Sequence, residues 1–304
     1  MTLSIARSAG RLLRRVAPLA PLALLFLGAL PARSDVRVSR PAVVQAIEPA
    51  NERRDAEPLP RGVALDVVLG EADTRFVPGG ASRDRAYNVR LAAGRLDRTV
   101  VPAHGTLSFN AIVGPRTVRA GFREAPVIVA GRITDGIGGG VCQVAGTLHT
   151  AALRAGLEIA RKQAHSRPSA YLPPGLDAMV AWPSSDLVIT NPYPFAVLID
   201  AKVTGPTLRV TLRGDAGASP AIVTSTVEEE LPAPELITED PTLAPGELLV
   251  DHLPVAGSVV RVTRTRGAQS ESWIVRYPPR ARVVRVGPTS ANAAVLATAL
   301  APPS

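Results

Sequence analysis

The sequence predicts an α+β fold in which a mixed sheet carries a cysteine-bearing helix, followed by a small all-β module. Short alternating runs such as "TLRVTLRG" recur through residues 62–214 and predict strands. Two longer stretches, "RDRAYNVRLAAGRLDRTVV" and "VCQVAGTLHTAALRAG", have the length and apolar spacing of helices. Residues 233–288 alternate repeatedly without a helical stretch, which is typical of a small β module.

The elements of the first region follow a simple order along the chain. "GVALDVVLGEADTRFV" predicts a strand with a turn, and the first helix follows with Tyr87, Leu91, Ala92 and Leu96 on its apolar face. "EAPVIVAGRIT" predicts another strand. After the second helix, the runs "LEIARKQAHS", "DAMVAWP", "DLVITN" and "FAVLIDAKVTG" predict further short strands. Helices and strands therefore both contribute to this region.

The first residues, 1–34, predict a cleavable secretory signal peptide. Several arginines precede the apolar run "VAPLAPLALLFLGAL", and small residues come just before Asp35. The apolar run has about 15 residues, fewer than the roughly 20 that cross a bilayer, so an uncleaved membrane anchor is the alternative. We therefore expect an exported protein of the periplasm or extracellular cell envelope. It would meet the membrane only through this segment, if the segment is uncleaved.

Three further stretches are predicted to lie outside the folded regions. Residues 35–61 are rich in proline and charge and predict a linker, and the polar residues 215–232 predict a second one. Residues 289–304 predict a disordered tail. The folded regions are then 62–214 and 233–288.

The composition argues against nucleic-acid binding. The formal net charge is +8, but much of it belongs to the predicted signal segment. The remaining cations form no basic stripe and are not interleaved with aromatic residues. Apolar residues make up 46% of the chain, enough to bury a sizeable core.

The single cysteine of the chain, Cys142, lies at the start of the second predicted helix. One cysteine cannot form an intramolecular disulfide, so it is a free thiol, an intermolecular bridge or a buried packing residue. The helix runs from about Val141 to Ala155, with Gly156 as its C-cap. Unpaired N–H groups and the helix dipole at this end favour the thiolate, which is the nucleophilic form.

The glycines Gly138, Gly139 and Gly140 directly precede the cysteine. A run of three glycines lets the backbone approach a ligand closely and exposes the sulfur at a tight turn. The loop is therefore a candidate ligand-binding site in its own right.

Two downstream residues are the candidate partners of Cys142. His165 can return beside the helix start as a general base, and Asp177 can orient the histidine. His149 is two helical turns from Cys142 and is better read as a core or groove residue. Cysteine at a helix start, then histidine, then aspartate is the order found in transglutaminase-like thiol enzymes. Four scattered histidines and one cysteine give no zinc spacing, so we predict neither a metal nor a cofactor.

Several blocks of residues 72–214 resemble the VanW family of exported bacterial proteins. The resemblance rests on "RDRAYNVRLAAGRLDRTVVPAHGTLSFNAIVGPRT", "GGGVCQVAGTLHTAALRAGLEIARKQAHS", "YLPPGLDAMVAW" and "DLVITNPYPFAVLIDA", in that order. The family is named after an accessory gene of a vancomycin-resistance cluster, and its link to resistance is by gene context. Residues 233–288 are similar to the G-five-like β module that often follows this domain and is thought to bind cell-wall sugars. The resemblance therefore implies a protein of the cell envelope.

Two classes of function remain open from the sequence. In the first, Cys142 attacks amide bonds of peptidoglycan peptides as a hydrolase or transamidase, and Gln143 or backbone N–H groups near Gly140 stabilise the oxyanion. In the second, the chain binds peptidoglycan or another envelope polymer without catalysis, and the glycine loop holds a carboxylate. Asn88, Asn110 and Arg116 are polar groups that either site can use.

Overall fold

The computed structural model describes residues 65–77, 79–129 and 132–288. The expected signal peptide, the first expected linker and the expected tail all lie outside these residues. Within the described ranges, no helix is both long and apolar enough to span a membrane.

The described chain is mostly β-sheet, which corrects the predicted α+β class. Fifteen strands form several small sheets, and the described residues contain three α-helices. The helices are α1 (Arg83–Leu96), α2 (Phe109–Val113) and α3 (Val141–Arg154). The strands are β1 (Val67–Arg75), β2 (Thr99–Val101), β3 (Thr106–Ser108), β4 (Glu124–Val129), β5 (Arg132–Ile137), β6 (Glu158–Arg161), β7 (Val188–Thr190), β8 (Val197–Thr204), β9 (Thr207–Gly214), β10 (Ile222–Leu231), β11 (Glu235–Glu239), β12 (Leu248–His252), β13 (Gly257–Arg266), β14 (Gln269–Tyr277) and β15 (Arg282–Val286).

The expectation of one mixed sheet in a transglutaminase-like arrangement is therefore wrong. The largest sheet has four strands in the order β1, β9, β8, β2, and all its pairings are antiparallel. The pairs β4–β5 and the three strands β3, β7 and β6 form separate sheets. The reason lies in the short runs after α3, which proline, glycine and aspartate interrupt too often for one continuous sheet.

Helix α3 lies in the centre of the main core and packs on β1. Nearly all of its side chains are buried, and its Leu148 and Val144 are fully enclosed. Gly70 of β1 allows the close approach, because a Cβ there would lie 2.3 Å from the backbone nitrogen of Ala155. After the helix, Gly156 has φ 76°, the left-handed conformation expected of the residue that follows a C-cap.

Helix α1 covers the same core with a face that overlaps the predicted one except at Tyr87. Its buried apolar side chains include Ala86, Val89 and Ala93, whereas Tyr87 is exposed. Leu96 and Ala92 are buried as expected. The small alanine side chains on this face let the helix come close to the sheet. The sequence pattern gave more weight to the large apolar side chains and missed Ala86 and Ala93.

The carboxyl-terminal region contains two further sheets. One has the order β10, β13, β14 and the other β11, β15, β12. Strand β10 falls inside residues 215–232, so most of that predicted linker is a paired strand of the module. A second core joins β13 and β14 to the first region, with Tyr277 and Val260 packed against Leu172 and Leu176.

Candidate functional site

Cys142 is the second residue of α3 and lies in its first turn, directly after the tight loop that precedes the helix. Gly140 is the N-cap and has φ 104°, a left-handed conformation that glycine adopts without strain. The thiol is half-buried, and its sulfur lies 3.5 Å from the carbonyl oxygen of Val180. The sequence-predicted position of the cysteine at a helix start matches the structure.

His165 and Asp177 lie in two extended segments that one isolated backbone bridge pairs. Met179 N–H donates to Gln163 O at 2.8 Å, and this isolated bridge brings the two segments side by side. Neither His165 nor Asp177 belongs to a regular strand, in contrast to the expected "AHS" and "DAMVAWP" strands.

The two side chains form a tight buried pair. His165 Nδ1 lies 2.6 Å from Asp177 Oδ2, and the same oxygen accepts the backbone N–H of His165 at 2.8 Å. Asp177 is fully buried and His165 is nearly so. Because Nδ1 faces the carboxylate, Nε2 is the ring nitrogen left to interact with the Cys142 thiol.

These contacts shift the pKa values of Cys142 and His165 in opposite directions. Burial raises the pKa of the Cys142 thiol, but the hydrogen bond and charge of His165 and the charge of Arg116 leave it below its ordinary value. Burial lowers the pKa of His165, but hydrogen bonds to Asp177 and Cys142 outweigh it and raise the pKa to about 9. The arrangement therefore favours a thiolate beside an imidazolium.

Tyr277 of β14 completes the surroundings of Asp177. Its hydroxyl donates to Asp177 Oδ1 and accepts the backbone N–H of Gly175 at 2.6 Å. Burial raises the pKa of Asp177, but bonds from His165 and Tyr277 hold it below its ordinary value. Sequence reasoning missed this residue, because no spacing signal links positions so far apart along the chain.

Gln143 occupies a different place from the one predicted for an oxyanion donor. Its Nε2 donates to Thr74 Oγ1 and to Arg75 O, both at 3.0 Å. Both hydrogens of the amide are thus used by β1, on the side of α3 that packs against the sheet. The side chain fastens α3 to β1.

The glycine loop is enclosed by protein on most sides. Gly138 and Gly139 are buried, and a Cβ on Gly139 would lie 2.5 Å from Pro126 O. Asn88, also predicted to bind a ligand, donates from Nδ2 to Gly139 O at 3.0 Å and to Arg123 O at 2.9 Å. Asn88 and the glycines therefore join α1, β4 and α3, and this packing accounts for the glycine run.

Asn110 also serves the fold around its own helix. Its backbone N–H donates to Asp186 Oδ1 at 2.8 Å, and its Nδ2 donates to Ser185 O at 2.9 Å. Its Oδ1 is buried without a hydrogen-bond partner in the described residues. The side chain therefore stabilises the turn that follows Val180, the residue whose carbonyl oxygen lies next to the Cys142 sulfur.

His149 lies in the core, as the sequence indicated. Its Nδ1 donates to Leu176 O at 2.8 Å, and its pKa falls to about 4 because of burial and then the charge of Lys162. No group of three or more histidine, cysteine or acidic residues with metal-binding geometry occurs in the described ranges.

Comparisons with known proteins agree with the resemblance seen in the sequence. Residues 84–213 match the family model described as VanW like protein. The chain is 42% identical over 144 residues to Uncharacterized protein YoaR of Bacillus subtilis (strain 168), which covers 47% of this chain and 47% of that protein. The chain thus spans about half the length of this curated relative.

Among solved structures, the IgA1 Protease G5 domain structure matches at 20% sequence identity and a TM-score of 0.20. That match covers 25% of this chain and 100% of the other. The family match includes helix α3 with Cys142, His165 and Asp177, all within residues 84–213. The chain therefore carries a VanW family domain over these residues.

Proposed function

We propose that the chain is a cysteine-dependent hydrolase or transamidase of the cell envelope that acts on amide bonds of peptidoglycan peptides. The observation that carries the proposal is the pair of His165 and buried Asp177, 2.6 Å apart, together with the Cys142 thiol at the start of a helix, whose pKa His165 lowers. A packing cysteine needs no neighbouring histidine that is itself paired with a buried carboxylate.

The geometry supports a two-step reaction. The Cys142 thiolate attacks the carbonyl carbon of the amide, forming a C–S bond, and the His165 imidazolium gives its Nε2 proton to the leaving nitrogen as the C–N bond breaks. His165 then accepts a proton from water or from an amine that attacks the thioester. Water yields a carboxylic acid and an amine yields a new amide, and the thiolate is released in both cases.

Backbone donors at the helix start support stabilisation of the oxyanion. The N–H groups of Val141 and Gln143 donate to Gly138 O and Gly140 O. Within the described backbone, the N–H of Cys142 itself donates no such bond. An amide N–H beside the attacking sulfur is well placed for the oxygen that becomes negative during attack. This donor is one of the backbone N–H groups near Gly140 that the sequence offered as the alternative to Gln143.

The envelope substrate rests on the sequence and on the family relation. A signal peptide would export the chain to the compartment that holds peptidoglycan. The alternative, a carboxylate bound by the glycine loop without catalysis, has less support because Gly138 and Gly139 are enclosed by Arg116 and Pro126.

The test of the activated thiol is its alkylation by iodoacetamide as a function of pH. We expect the reactivity of the full chain to reach half its maximum well below pH 8.5, the pKa of an ordinary thiol. His165→Ala should move this midpoint up towards the ordinary value, whereas the exposed His104→Asn should leave it in place. A wild-type midpoint near 8.5 would refute the proposal.

The test of the reaction uses peptidoglycan fragments as substrates. We expect release or exchange of stem-peptide amides by the wild-type chain and none by Cys142→Ser, which keeps a small polar residue at the helix start. Because the reaction needs both thiolate and imidazolium, its rate should fall as the pH rises through about 9, where His165 loses its proton. Equal turnover by Cys142→Ser would exclude the cysteine mechanism.

A further inference from the structure

Two arginines lie against the ends of the glycine loop that leads to Cys142. A Cβ on Gly140 would lie 3.0 Å from Arg85 O and 3.2 Å from Arg85 Cγ. A Cβ on Gly138 would lie 2.9 Å from both Cβ and Cγ of Arg116. The fold thus places one guanidinium-bearing side chain at each end of the loop that positions the thiol.

Neither arginine has a carboxylate partner among the described residues. Arg85 makes no hydrogen bond or ion pair there, and the adjacent Asp84 pairs with Arg123 at 2.8 Å. Arg116 donates from Nη1 to Gly114 O at 2.7 Å and lies over the Phe109 ring, while its Nε and Nη2 are buried without a hydrogen-bond partner. Burying donors of a cation without partners is costly, so the two free donors of Arg116 are a feature to explain.

The charge of Cys142 affects the pKa of both arginines. Burial lowers the pKa of Arg85, and Tyr171 and then Cys142 oppose this effect. Burial likewise lowers the pKa of Arg116 to about 10, against the opposing charges of Cys142 and Asp186. The oxygens of Asp186 already accept from Ser108 and from the Asn110 backbone, so this carboxylate is engaged elsewhere.

We propose that Arg85 and Arg116 form an anion subsite that binds a carboxylate next to the scissile amide of the substrate. This inference rests on the proposed function and narrows its substrates to amides with a neighbouring anionic group. Half-exposed Arg85 makes the direct contact, since a guanidinium can bind a carboxylate through two parallel N–H bonds. Arg116, whose free donors are buried, adds positive potential behind it.

The experiment compares two alkylating reagents that differ only in charge. Iodoacetate carries a carboxylate where iodoacetamide carries a neutral amide, and both react at the same carbon with the Cys142 thiolate. The ratio of their rate constants at one pH is independent of the fraction of thiolate. It therefore reports the attraction of an anion to the site separately from activation of the thiol.

Variants of Arg85 give the main readout in the full chain. Arg85→Gln should lower the iodoacetate to iodoacetamide ratio about three- to tenfold, as expected for loss of one water-screened charge about 4 Å away. Arg85→Lys should keep most of the ratio. Arg83→Gln, an exposed position on the same helix, removes an equal charge and should leave the ratio within about twofold.

Arg116→Gln and salt provide two further measurements. Arg116→Gln should lower the ratio less than Arg85→Gln does, because its free donors are buried. High salt should lower the wild-type ratio and have a smaller effect on Arg85→Gln.

The outcomes separate this inference from the proposed function. If Arg85→Gln leaves the ratio unchanged, or Arg83→Gln lowers it equally, there is no anion subsite, whatever the pH midpoint of the thiol. If the ratio falls as expected but the wild-type midpoint with iodoacetamide is ordinary, the anion subsite stands and the activated nucleophile does not.

Discussion

Two buried histidines, His149 and His165, bond to two successive residues of the chain and have opposite properties. His149 donates to the carbonyl of Leu176, and His165 pairs with the side chain of Asp177. The pKa of His149 falls to about 4 and that of His165 rises to about 9. Burial lowers the pKa of both rings, so the bonded partner decides the direction of the shift.

The comparison shows why one histidine suits structure and the other chemistry. The carbonyl of Leu176 accepts a hydrogen bond from the neutral ring of His149, but it does not stabilise the imidazolium enough to offset burial. The positive charge of Lys162 disfavours the imidazolium further. A carboxylate favours the imidazolium. The neutral ring of His149 therefore fills a core position, while the charged ring of His165 is suited to hold Cys142 as a thiolate.

The largest expected effect concerns the stability of the fold in acid. Because the pKa of His149 is depressed in the folded chain, stability is lost as the pH falls from about 6.5 through about 4. The shift corresponds to roughly 3 kcal/mol in the free energy of unfolding. His149→Gln keeps a donor for Leu176 O without a titrating ring, so its loss of stability between pH 7 and 4 should be smaller by about that amount.

Urea unfolding at pH 7, 5.5 and 4 measures this difference. The exposed His104→Asn serves as the control and should follow the wild-type profile. An unchanged acid loss in His149→Gln would mean that His149 is not neutral in the folded chain, and the contrast between the two histidines would fail.

The next effect is expected from removal of the carboxylate that distinguishes His165. Asp177→Asn takes away the negative partner of the imidazolium, so the pKa of His165 should fall and less thiolate should form at low pH. We expect the iodoacetamide midpoint to rise by about one pH unit, less than in His165→Ala. Asp186→Asn is a matched control, since it removes another buried carboxylate that accepts two hydrogen bonds. A midpoint that moves equally in both variants would argue against a specific role of Asp177.

The smallest effect tests the hydroxyl of Tyr277. Tyr277→Phe leaves Asp177 Oδ1 and Gly175 N–H without this partner, which should cost about 1 to 3 kcal/mol of stability. It should also raise the midpoint of thiol alkylation by a few tenths of a pH unit. Tyr193→Phe removes a comparable bond that does not involve Asp177, from a buried tyrosine to Ala155 O at 2.8 Å. If both variants lose stability and neither changes the pH midpoint of alkylation, Tyr277 contributes to stability and has no influence on the thiol.

Local patterns predicted the parts of the site that lie close together in the sequence. The glycines at 138–140, followed by apolar residues at helical spacing, predicted the start of α3 and the position of Cys142, because helix ends have local sequence signals. The order of His165 and Asp177 along the chain suggested that they are partners of Cys142. The isolated bridge between Gln163 and Met179, which pairs their segments, has no signal in the hydrophobic periodicity of the sequence.

Other parts needed three-dimensional information. Polar residues such as Asn88 and Gln143 read as ligand-binding groups, yet they satisfy backbone and side-chain groups of neighbouring elements. A single sequence does not distinguish an amide side chain that binds a ligand from one that is buried and bonded within the fold. The class of the fold was also missed, since two clear helical patterns outweighed many short strands whose pairing depends on distant residues.

The hydroxyl of Tyr277 has a consequence for where this protein can be divided. The stretch recognised by family similarity ends at residue 213, whereas the tyrosine that bonds Asp177 comes from β14. A fragment that stops at Gly214 would retain cysteine, histidine and aspartate but lose the donor on the far side of the carboxylate. Replacing the carboxyl-terminal module by an unrelated one would do the same. The residues that hold the candidate site in place therefore extend beyond the range that matches the family, 84–213.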